Sequence, residues 1–163
     1  MTSRTLAVAA LLVAGAVHPA FGQPLPPAGT AVVDKWLECE DCIDGELQAL
    51  VKLGTPAVPS LGAALRSGPP QNKRTAYQTQ LSATYQQAVA YAKTHPEAPV
   101  PTTEADYIRR HMDNQVTRYQ IRAANGLGAI GGPDAKKELT QALGLPLPTA
   151  VLVSVREALL RIP

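Results

Sequence analysis

Two stretches of the chain, residues 44–65 (DGELQALVKLGTPAVPSLGAAL) and 119–143 (YQIRAANGLGAIGGPDAKKELTQAL), carry one pattern twice. In the later copy Ala123, Leu127 and Ile130 recur at spacings of four and three, the period of a helical face. Ala124 widens that face and is small enough to let a neighbouring helix come close. Gly128, Gly131 and Gly132 follow, and glycine takes the left-handed conformation that commonly closes a helix. Pro133 then opens a second helix, where a first-turn proline forfeits no helical hydrogen bond. Asp134 sits where a negative charge meets the positive helix end. Ala135, Leu139 and Leu143 form the apolar face of that helix, with Lys136 and Lys137 turned away from it. Two such helices joined by a few residues are expected to pack antiparallel.

In the earlier copy Ala49, Leu53 and Gly54 match Ala123, Leu127 and Gly128, and Ala57, Leu61 and Leu65 match Ala135, Leu139 and Leu143. Thr55-Pro56 replaces the longer link of residues 129–134, and Pro59 still falls in the first turn, where it is tolerated. A repeat of this size signals stacked helix pairs, none of which can bury its face alone. No run alternates in the manner of a strand, and the chain has one Phe and one Trp against many Ala and Leu. That composition suits close-packed helices.

These residues resemble HEAT repeats of the short bacterial type. The resemblance is carried by Leu53-Gly54, by Ala57-Val58-Pro59 with Leu61 and Leu65, and by Leu127-Gly128-Ala129-Ile130-Gly131 with Pro133 and Ala135. Ser154 to Leu160 is similar to the first helix of a third unit. Residues 44–67 and 117–162 are covered, and nothing between 68 and 116 matches. The resemblance implies an α-solenoid that binds other proteins and names no reaction.

Residues 72–93 read as one long helix with Tyr77, Leu81, Tyr85, Ala88 and Ala92 on a single face. The prolines of residues 95–101 (HPEAPVP) break it. A new helix is expected near Thr102-Thr103, with Glu104 and Asp106 in its first turn. Ile108, Met112, Val116 and Tyr119 carry its stripe on into Ala123, so it runs unbroken to about Gly128. The expected fold is therefore all-α: a short HEAT-like helical-repeat stack (α-solenoid) with a long antiparallel helical hairpin inserted at about residues 70–116. Off its stripe the hairpin bears Gln, Thr and Tyr, with Arg109 and Arg110 near its turn. Tyr and Arg are favoured anchors of protein interfaces, so Tyr91, Tyr107, Arg109 and Arg110 are the candidate partner-binding residues. His95 and His111 are expected to be exposed polar groups.

Upstream of the repeats, residues 1–22 read as a signal peptide. Arg4 is the only charge before Asp34, the apolar run of residues 5–16 is too short to span a bilayer, and Ala20-Phe21-Gly22 offers a cleavage site. Removing Arg4 takes the formal charge from +2 to +1, which favours neither nucleic acid nor an anionic membrane. The exported chain then consists of a Pro-rich linker, residues 23–29, and one helical domain, residues 30–163, with no membrane span. A helix is expected to begin near Thr30 and to place Trp36 over the end of the stack.

Cys39 and Cys42 are the only cysteines, in a CxxC spacing. A c-type haem needs His at position 43, where Ile43 stands, and zinc lacks a second ligand pair. An oxidising compartment favours a structural disulfide between the two. Thiol–disulfide redox chemistry is the alternative, disfavoured by Glu38, Glu40, Asp41, Asp44 and Glu46, since a thiolate wants a positive neighbour. No GxSxG, HExxH or phosphate-cradling glycine loop is present. The reading is thus an exported, non-catalytic protein-binding module with no cofactor, metal or nucleic-acid partner expected. Its protein partner and its oligomeric state are not specified by the residues.

Overall fold

The computed structural model describes residues 25–41, 44–99 and 103–163. The expected signal peptide therefore lies outside the described residues. Among those described, seven α-helices and one 3-10 turn follow one another with no strand. They are α1 (Pro27–Glu38), α2 (Asp44–Leu53), the turn Thr55–Ala57, α3 (Val58–Ser67), α4 (Gln71–Thr94), α5 (Glu104–Ile130), α6 (Gly132–Ala142) and α7 (Thr149–Leu160). None is long and apolar enough to cross a membrane.

The ends of these helices follow from local chemistry. α1 starts at Pro27, three residues before the expected Thr30, because a proline already holds the helical φ and lacks the N–H that a first turn leaves unused. α2, α3 and α5 end at Gly54, Gly68 and Gly131, each at φ between 62° and 69°, a conformation that costs glycine nothing. Thr103 caps α5 by accepting the Asp106 N–H at 3.0 Å.

α5 is the axis of the molecule and touches each of the other six helices. Its C-terminal half carries the core: Ala123, Ala124 and Leu127 are fully buried with Leu50 of α2, Leu61 and Leu65 of α3, Leu139 of α6, and Val151 and Val155 of α7. Small residues let those helices close in. A Cβ on Gly126 would meet Leu50, Trp36 and Leu61, and one on Gly128 would lie 2.8 Å from the Ala158 Cβ.

Two details differ from expectation. Gly128 does not end its helix, which continues to Ile130; Gly131 and Gly132 take the left-handed turn, at φ 69° and 81°. Leu143 is 40% exposed, and Ala142 takes the third inward position of α6, because the helix ends there and spacings of four and three from Ala135 through Leu139 arrive at Ala142.

α4 packs along α5. Glu104 accepts hydrogen bonds from Ser82 and, at 2.8 Å, from Gln86 Nε2; Tyr85 meets Tyr107 with ring centroids 5.7 Å apart; Gly68, just before α4, lies against Val116. Leu81 is the one buried residue among the 24 of α4, so this part of the molecule stands largely outside the core that surrounds Leu127.

Candidate functional site

α4 and the first half of α5 bring together some of the residues singled out above and separate others. Tyr107 is half-buried against Tyr85 and against His111, whose ring centroid is 4.3 Å away. Arg109 lies two residues on, about 200° around the helix, so it leaves α5 on the opposite side from Tyr107. There it pairs with Asp106 at 3.1 Å. The Arg109 hydrogen bond, and after it that of Thr103, holds the Asp106 carboxyl below its ordinary range. Arg110 is exposed. Tyr91 is 57% exposed and stacks flat on His95, centroids 3.8 Å apart. His95 in turn folds back on its own helix end, its Nδ1 3.1 Å from the Tyr91 carbonyl oxygen. The four candidates therefore belong to separate small clusters rather than to one patch.

The outer surface of α4 is unusual in its chemistry. Residues 75–92 contain no Asp, Glu, Lys, Arg or His, and Thr79, Gln80, Ala83, Gln86, Gln87 and Ala90 among them are exposed. Where α4 meets α5, Thr75, Gln78, Ser82 and Gln86 line a shallow groove with Glu104 and Ile108. It offers amide and hydroxyl groups around an apolar strip.

On the other side of α4 lies a cleft of about 390 Å³ that the sequence did not announce. Carboxylates from α1 and the residues after it, Glu38 and Glu40, face Lys73, Arg74 and Arg118, over a floor that includes Tyr77, Met112 and Tyr119. Lys73 bridges to Asp34 at 2.9 Å and to Glu38. Burial works against its ammonium, but those two hydrogen bonds outweigh the loss and raise its pKa. Burial also raises Tyr119 beside it. Arg118 reaches Glu40 at 3.4 Å and Gln115 at 2.6 Å. Arg74 donates to the Pro69 carbonyl at 2.7 Å. The basic groups are thus already engaged, and the cleft works as a clamp holding α1 to α4 and α5.

Trp36 is buried, as a packing group, and its Nε1–H donates to the Arg122 carbonyl at 2.9 Å. The Arg122 guanidinium lies 5.8 Å from the indole centroid, donates to the Glu40 carbonyl at 2.9 Å and reaches the Cys39 sulfur at 3.3 Å. A cation therefore touches this sulfur from 83 positions along the chain, within a segment whose own residues are acidic. The same sulfur lies 2.9 Å from the Trp36 carbonyl oxygen. Cys42 is outside the described residues, and so is the expected bond between the two cysteines.

Among the described residues no group of three or more His, Cys, Asp or Glu could hold a metal ion. No family model, curated protein or solved structure matches the chain.

Proposed function

We propose that this protein is an exported, non-catalytic binding module in which α4 and the first half of α5 form an antiparallel hairpin that docks another protein. The observation that carries the reading is the chemistry of α4. A helix polar on most sides normally relies on ion pairs along its surface or on a second neighbour. α4 buries only Leu81 and has no charged side chain from 75 to 92, so it has neither the first support nor much of a core. Glutamine, threonine and tyrosine add contact area without a charge to desolvate. The order of contacts supports the hairpin: Tyr85 meets Tyr107 and Ser82 meets Glu104 near the turn, while Lys73 lies by Tyr119 at the far end.

The remaining helices support a stack of HEAT-like pairs as the platform. α5 touches both α2 and α7, and α3 touches α6 as well as α5, contacts that neighbouring two-helix units would share, while α2 and α3 meet mainly through the turn between them. Export rests on residues 1–22 alone. The test is capture of the partner from the native envelope by full-length protein. Gln80→Glu with Gln87→Glu should abolish capture while leaving the circular dichroism unchanged, and Lys137→Glu should not. Capture that survives the α4 pair and fails with Lys137→Glu would move the site to the repeats.

A second reading, thiol–disulfide exchange at Cys39 and Cys42, draws on the Arg122 contact, since a guanidinium at 3.3 Å favours a thiolate. On that reading Arg122→Gln shifts the reduction potential of the pair by tens of millivolts; for a structural bond the potential stays far below the ambient thiol pool.

A further inference from the structure

α7 buries Val151, Val155 and Ala158 completely. Its opposite face is bare. Leu160 is 88% exposed and Val153 44%, two turns apart and aligned along the helix. Arg156 and Glu157 stand on either side of that line, both exposed. Among the described residues neither side chain has a hydrogen bond or ion pair. An apolar pair flanked by one unpaired charge of each sign is complementary to itself.

We propose that this face of α7 is a self-association surface, covered by α7 of a second copy of the chain running parallel to it about a two-fold axis. In that arrangement Val153 meets Val153 and Leu160 meets Leu160. Arg156 of each copy lies by Glu157 of the other, giving two ion pairs at the rim. The antiparallel alternative, centred between 153 and 160, sets Arg156 beside Arg156 and Glu157 beside Glu157, and like charges so placed oppose association. Charge therefore selects the parallel pairing. α7 has 12 residues, about 18 Å of helix, so the contact falls below the roughly 1,200 Å² of lasting complexes. The dimer is weak, reversible and concentration-dependent. It is independent of whether α4 and α5 bind another protein.

Sedimentation equilibrium of the full chain across the micromolar range tests this. The wild type should move from monomer toward dimer with concentration. Arg156→Glu alone and Glu157→Arg alone should each weaken dimerisation by about tenfold or more, because each replaces two attractive contacts with two repulsive ones. Mixing the two variants should restore dimers, since one then presents two acids and the other two bases. Circular dichroism checks that both variants stay folded, as expected for exposed positions. A wild type that remains monomeric throughout, or a dimer indifferent to both substitutions, or a mixture no more associated than its components, would overturn the proposal.

Discussion

Gly128 lies where α5 packs tightly on α7, the space of its missing side chain taken by Ala158. A methyl group there would sit 2.8 Å from the Ala158 Cβ and 3.0 Å from its Cα, and backbone cannot yield as a flexible side chain does. Gly128→Ala should therefore destabilise the protein by about 1–3 kcal/mol, the usual cost of overpacking, read from the midpoint of urea unfolding. An unchanged midpoint would mean that α7 is free to shift. Lys73 and Tyr119 give a second prediction. Both have folded-state pKa values raised above their ordinary 10.5 and 10.0. Each then contributes stability in full below that ordinary value, and loses it as pH climbs through the folded one. Stability should fall in the alkaline range, and Lys73→Met with Tyr119→Phe should flatten that fall. The burial of Leu127, Leu61 and Leu65 was legible from helical spacing alone. The role of Gly128 was not, because a glycine that ends a helix and one that admits a neighbour look alike until the neighbour is placed. Nor was the Arg122 contact with Cys39, which joins residues 83 positions apart.

At the scale of elements, helix ends were read more securely than helix neighbours. Thr103, with Glu104 and Asp106 behind it, announced the start of α5, and its side chain does accept the Asp106 N–H. Thr103→Ala should cost about 1 kcal/mol, and the loss should be seen first as faster amide exchange in the opening turns of α5. The prolines around α4 bounded it correctly, yet its pairing with the carboxylates of α1 through Lys73 joins residues 39 positions apart, and no local pattern encodes that. Tyr107 and Arg109 are close in sequence, and helical geometry sends them to opposite sides of α5. α4 itself makes a sharp prediction. With Leu81 as its one buried residue, its amides in 75–92 should exchange well before those of Ala123 to Leu127, since local stability tracks buried apolar contact. Equal protection in both segments would show that α4 is held by more than α5.

In the whole molecule, a tightly packed set of helices around the second half of α5 adjoins a thinly packed pair, α4 and the first half of α5. Period-3.6 patterns without alternation were enough to establish an all-helical chain, and far-UV circular dichroism should show helix with little strand. The uncharged surface of α4 is where binding can be tested most directly. A photo-crosslinking amino acid placed at Ala83, exposed in the middle of α4, should form a discrete adduct with another protein when the cells that make this chain are irradiated. The same group at Lys137, exposed on α6, should give little. An adduct from position 137 and none from position 83 would contradict recognition by α4 and move it to α6.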